Sequence, residues 1–212
     1  MNKKLIHNNA NINYNICGTG STVVLLHGFL EELSIWDDFT IAYCSSCKII
    51  SIDLPGFGKS EVISDNHSMH LMAEVVNEIL TLENVKDCII VGHSMGGYVA
   101  LAMADLFPEK LNGIVLFHSQ AAADDCHAKK NRDLTIGIVV NNHSKYISSF
   151  IPLLFAEENV NTFNKEIDNL VHNSLKTKDA GIIAALRGMR DRSDYTGLLS
   201  KLEIPILFIA GK

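Results

Sequence analysis

Long hydrophobic runs are missing from this sequence. No stretch approaches the roughly 18 consecutive apolar residues of a membrane-spanning helix. The opening MNKKLIHNNANINYNICGTG offers only Leu5 and Ile6 before polar residues return, short of the roughly 7–15 apolar residues of a secretory leader. The expected location is therefore cytoplasmic, with no membrane partner. Basic clusters are scarce too: Lys3-Lys4 and Lys129-Lys130 are the only Lys/Arg doublets, and the net charge is −6. That balance excludes nucleic acid as an expected partner. Internal repeats and low-complexity tracts are absent.

Cysteine is present in an odd count, five (Cys17, Cys44, Cys47, Cys88, Cys126), and without a secretory context free thiols are expected. The Cys44–Cys47 pair has CxxC spacing. It precedes a strand-like run, KIISID, whereas a redox CxxC opens a helix after a strand, so a redox role is disfavoured. Of nine histidines only His67 and His70 sit close together, with no Cys, Asp or Glu at ligand spacing. Neither a metal nor another cofactor is expected.

What is present is alternation. TVVLLHG (22–28), KIISID (48–53), DCIIVGH (87–93), NGIVLFH (112–118) and IPILFIAG (204–211) barely alternate in polarity, as expected of parallel strands covered on both faces. Residues 3–8 and 11–17 form an opening hairpin with Asn8-Asn9 near its turn. Helical stripes lie between: 30–43 with Trp36 and Phe39 inward, 68–82, and 95–106 stopping at Pro108. From 121 to 197 helical patterns follow one another without a strand. The fold class is α/β: a mostly parallel sheet with helices on both faces and a helical insertion. At 212 residues, 47% of them hydrophobic, one core suffices, with room for that insertion.

Two glycine motifs stand out. DLPGFGKS (53–60) ends like a phosphate-binding loop, but Asp53 stands where that loop needs its first glycine and no helix begins at Lys59-Ser60. Gly56 and Gly58 instead shape a tight loop. GHSMGG (92–97) matches G-x-S-x-G, follows a strand and opens a helix, the context of a nucleophile elbow. A serine hydroxyl is a weak nucleophile and must be held where a base reaches it, so Ser94 is the candidate nucleophile. Gly92 and Gly96 leave room where a Cβ would collide with neighbouring elements. LLHGF (25–29) also ends a strand. Phe29, following His27-Gly28, and Met95, following Ser94, supply two backbone N–H groups for an oxyanion, with Gly28 a candidate pocket residue.

The order HGF, DLPGFGKS, GHSMGG, FPEKLNGIVLFHS and IPILFIAGK resembles the α/β-hydrolase fold superfamily, in its branch of small esterase-like serine hydrolases with a helical cap. The resemblance spans essentially the whole chain. It implies a core over 1–120, a cap over 121–197 roofing a pocket above Ser94, and a core continuation over 198–212. It also implies that the triad acid and histidine follow ILFIAGK beyond Lys212, with a last strand and helix. The 212 residues are thus expected to be part of a longer chain. Within them His118, ending the strand after the elbow helix, is the alternative base or a pocket-lining residue. Asp124 and Asp125 are an alternative acid or a helix cap.

The expected function is hydrolysis of a carboxylic ester through an acyl-enzyme on Ser94, with a small acyl substrate as partner. C–C or amide cleavage by the same nucleophile is one alternative. A pocket-binding protein without turnover, should the chain end at 212, is another. Phe150, Leu153, Phe155 and Met189 suggest an apolar roof. Arg187, Arg190 and Arg192 suggest either a carboxylate clamp or exposed helix-end charges.

Overall fold

The computed structural model describes residues 1–211; Lys212, the last residue of the expected core continuation, lies outside the described residues. Seven strands form one sheet: β1 Asn2–His7, β2 Ala10–Cys17, β3 Thr22–Leu26, β4 Lys48–Ile52, β5 Cys88–His93, β6 Leu111–Phe117 and β7 Ile206–Ile209. Their order is β1-β2-β4-β3-β5-β6-β7. The first two pairings, β1 with β2 and β2 with β4, are antiparallel, and the other four are parallel. The hairpin turns through Asn8 (φ 48°) and Asn9 (φ 66°). Positive φ at both central residues suits the right-handed twist of the strands it joins, and asparagine tolerates it.

After β4 the chain crosses back over β3 to add β5 on its other side. Strand order reverses there, which opens a crevice at the carboxyl ends of β3 and β5.

The helices are α1 Asp37–Tyr43, α2 Met69–Leu82, α3 Met95–Leu106, α4 Cys126–Phe150, α5 Asn164–Ser174, α6 Asp179–Arg190 and α7 Thr196–Leu199. Ser68 caps α2, accepting from Leu71 N–H at 3.1 Å. Alternate strand residues separate two cores. Val24, Leu26, Ile50, Ile52 and Ile90 pack with α2 and α3 residues such as Met72, Val76 and Val99, while Leu25 and Ile49 pack with Trp36 on the other face. Helices therefore do cover both faces, but unequally. Ile89 is 40% and Leu207 54% exposed, so the expected two-sided burial holds for the α2–α3 face and fails in part for the α1 face. The run 204–211 differs in the same way. Its strand is β7, which pairs with β6, and among the described residues Leu207, Phe208 and Ile209 are exposed.

Residues 30–43 are a short 3-10 turn, Leu33–Trp36, followed by α1. Trp36 is buried as expected. Phe39 is not; it lies at the rim between Trp36 and Tyr43. Between β6 and β7 the described residues form helices and turns only. A kink interrupts α4 at Asn142 (φ −162°), whose Oδ1 accepts from Lys145 N–H at 3.0 Å and so caps the helix that restarts there. Gly181 and Gly188 seat α6 on the loop before α2, because a Cβ at either would fall on the carbonyl of Gly56 or His67.

Candidate active site

β5 delivers Ser94 at the carboxyl edge of the sheet, and α3 leaves from the next residue. Ser94 has φ 49° and ψ −111°, a region that glycine occupies freely and other residues at a cost of about 1–3 kcal/mol. Its surroundings over-determine the turn. Ser94 N–H donates to Phe117 O at 2.9 Å, while Ser94 O accepts from Gly97 N–H at 3.0 Å and from Ser119 Oγ at 2.8 Å. A Cβ on Gly92 would fall on Gly96 O, and one on Gly96 on Leu26 O, with His27 O 2.8 Å away. Both glycines are thus needed for the close approach of β5, α3 and β3.

The loop after β3 runs alongside. His27, fully buried, accepts from Leu54 N–H at Nε2 (2.9 Å) and sits 2.7 Å from Gly28 O through Nδ1. Those partners fix the Nδ1–H tautomer, and burial pushes its pKa below the usual imidazole range. Asp53 holds the loop from beneath, accepting from Leu33 N–H (2.8 Å), Asn13 Nδ2 (2.8 Å) and Lys59 N–H (2.9 Å). Of the two DLPGFGKS glycines, Gly58 lies against this carboxylate, since a Cβ there would fall on Asp53, while Gly56 packs against Gly181 and His67. Among the described residues, neither Phe29 N–H nor Met95 N–H donates to a protein acceptor. Met95 is the first residue of α3, where such a free N–H is inherent to the helix end.

A cavity of about 560 Å³ opens over Ser94, lined also by Phe29, Glu31, His93, His118 and, from the helical segment, Phe150, Leu153, Leu154, Phe155 and Leu170. Phe29 bridges the two sides, its ring edge-on to Phe57 at 6.0 Å and to Phe150 at 6.4 Å. Ser174 Oγ of α5 lies 2.5 Å from Leu30 O, tying the helical segment to the same loop.

A family model described as the alpha/beta hydrolase fold matches residues 21–174. The chain belongs to the α/β-hydrolase fold family. Over 209 residues it is 25% identical to the pimeloyl-[acyl-carrier protein] methyl ester esterase of Wigglesworthia glossinidia brevipalpis, covering 93% of this chain and 77% of that protein. A 2-hydroxy-6-oxononadienedioate/2-hydroxy-6-oxononatrienedioate hydrolase of Pseudomonas putida is 34% identical over 112 residues, half of this chain and 39% of that one. Among solved structures, a thermophilic esterase from Thermogutta terrifontis superposes with a TM-score of 0.90 at 29% identity, covering 98% of this chain and 79% of that one. The chain spans less than half the length of several of the curated relatives it matches.

Of the residues expected at the site of this hydrolase-fold chain, Ser94, Phe29, His118, Phe150, Leu153 and Phe155 share the cavity. Met189 does not; it is buried in the core. His118 lines the cavity, but no hydrogen bond joins it to Ser94 among the described residues. Asp125 caps α4 through Ala128 N–H (2.7 Å). Asp124 is buried and paired with Arg192 and with Arg132 (3.0 Å). The three arginines form no clamp: Arg187 binds Asp65 O, Arg190 binds Asp133 and Asp191, and Arg192 is buried over the Tyr98 ring. Arg192 is therefore neither a ligand group nor an exposed charge. Sequence reasoning missed Glu31, Leu154 and Leu170, and it expected His93, which lines the cavity, to pack behind the elbow. Nothing local singles out Glu31, because Glu32 beside it is the same residue type.

Proposed function

We propose that this protein hydrolyses carboxylic esters of small, largely apolar acyl groups, with Ser94 as nucleophile. The observation that carries the reading is a serine held at φ 49° on the sheet's carboxyl edge, opening into an apolar-roofed cavity of about 560 Å³. Strain of that kind persists where the surrounding structure enforces it, and a raised hydroxyl is its use in acyl transfer.

In the proposed cycle Ser94 Oγ attacks the acyl carbonyl, a histidine base takes its proton, and the oxyanion accepts hydrogen bonds from Phe29 N–H and Met95 N–H. Each such donor contributes about 3 kcal/mol to lowering the barrier. The C–O bond then breaks, the alcohol leaves with the proton, and water releases the acid from the acyl-enzyme by the reverse sequence. Such a base is oriented by a carboxylate bonded to its other ring nitrogen. Residues 121–197 act as a cap, with Phe150, Leu153, Leu154, Phe155 and Leu170 receiving the acyl chain. No cofactor enters this chemistry. Esters are chosen over C–C or amide bonds because two of the similar proteins that span nearly all of this chain, at 25% and 29% identity, are named as esterases.

The test is fluorophosphonate labelling of the full-length protein, followed by peptide mass spectrometry and turnover of p-nitrophenyl esters of graded length. Label on Ser94, lost together with turnover in Ser94→Ala, is expected. A folded protein that does not label overturns the reading and leaves a pocket-binding protein in its place.

A further inference from the structure

The two proposed oxyanion donors lie on different segments, Phe29 after β3 and Met95 after β5, and one side chain bridges them. Glu31 is 8% exposed. Its Oε2 accepts from Gly28 N–H at 2.5 Å, one residue before the first donor. The same oxygen lies 2.8 Å from His93 Nδ1, two residues before the second. An ionised carboxylate only accepts, so His93 donates through Nδ1–H. Glycine at 28 lets both groups come this close, since a Cβ would stand 2.8 Å from Glu31 Oε2 and 2.9 Å from His93 Nδ1.

A tight turn aims the carboxylate back into the loop, with Glu31 N–H donating to Gly28 O at 3.3 Å. Helix capping does not explain the residue, because the following 3-10 turn is capped from Glu32 without a side-chain bond. A buried carboxylate is retained only against a desolvation cost, which its two charge-assisted hydrogen bonds offset.

We propose that Glu31 is a positioning residue that clamps the Phe29 and Met95 amides into one oxyanion site, by holding the Gly28 amide and the His93 ring on a single oxygen. The inference rests on the ester-hydrolase reading above. Displacement of either donor by a fraction of an ångström weakens only those bonds that form as the oxyanion develops. The clamp therefore acts on kcat and leaves ground-state binding in the cavity alone.

The test compares full-length wild type with Glu31→Ala, Glu31→Gln and Glu31→Asp, using p-nitrophenyl butyrate turnover and inhibition by butyl boronic acid, an analogue of the tetrahedral species. Glu31→Ala is expected to lower kcat about 30-fold, with KM within about threefold, and to weaken the boronic acid in the same proportion as kcat. Glu31→Gln keeps an oxygen that accepts both bonds and is expected to stay within about fivefold of wild type. Should Glu31→Ala not fold, Glu31→Asp, withdrawn by one methylene, reads the same loss.

Glu31→Ala or Glu31→Asp at wild-type kcat overturns the clamp, as does a loss confined to KM or a Gln variant as impaired as Ala. A wild type that neither labels at Ser94 nor turns over ester fails earlier, by overturning the hydrolase reading itself.

Discussion

Ser94 carries a backbone conformation that a glycine would adopt without strain, a cost that the proposed nucleophile role would explain. Ser94→Gly should therefore raise stability by about 1 kcal/mol while abolishing ester turnover and labelling. Urea denaturation beside an activity assay reads both; a destabilised variant contradicts the strain. Gly96 sits on the opposite side of the balance. Gly96→Ala sets a methyl group against the carbonyls of Leu26 and His27, backbone atoms that cannot turn aside. A loss of about 3 kcal/mol is expected in the urea midpoint.

His67 supplies the pH dependence at this scale. It is fully buried, its Nε2 accepts from Ile63 N–H at 3.2 Å, and burial, outweighing the nearby Pro55 carbonyl, lowers its pKa to about 4. The unfolded chain takes up a proton below about pH 6.5 that the folded chain refuses until about pH 4. Its contribution is complete above pH 6.5 and fades by about 3 kcal/mol as pH falls to 4. Stability measured across that window should slope in wild type, and His67→Gln should flatten the slope.

Among elements, the join between β6 and the helical segment depends on one buried ion pair. Arg192 donates to Asp124, to Ala122 O at 2.8 Å and to Met189 O at 3.0 Å, and stacks on Tyr98 at 4.1 Å. Removing Arg192 leaves the buried Asp124 with Arg132 alone and takes away the contacts to Tyr98 and two carbonyls, so Arg192→Ala should cost about 3 kcal/mol. Arg190→Ala, at a partly exposed ion pair, should cost under about 1 kcal/mol. Parallel thermal and urea melts separate the two; equal effects would deny the burial difference. Local sequence made some elements legible and others not. The 3.6-residue stripe and Ser68 announced α2, and G-x-S-x-G announced the β5–α3 turn. The burial of Arg192 depends on contacts with Ala122 and Asp124, distant in sequence, which no local pattern encodes, whereas the kink at Asn142 has a local partner in Lys145 N–H.

At the scale of the molecule, the cavity belongs to two layers at once. Its floor is the sheet edge at Ser94 and His118, and its roof is the segment running from Phe150 to Leu170. The roof is apolar, and acyl-chain length is the property it should read. Leu170→Trp is expected to raise KM for octanoyl esters about tenfold or more while leaving acetyl esters within about twofold. Equal effects on both lengths would place the acyl chain elsewhere.

The sequence by itself determined the strand alternation, the glycines that permit the elbow, the serine at its tip and the helical stretch between β6 and β7. These are signals of period and of local sterics, carried within a few residues of one another. Only the tertiary structure decided which groups share the cavity. It brought Glu31 onto Gly28 and His93, sent Arg192 and Met189 into the core, and left one face of the sheet partly open. Burial and pairing are properties of residues brought together from distant parts of the chain, and the packing of layers, not any run of letters, assigns them.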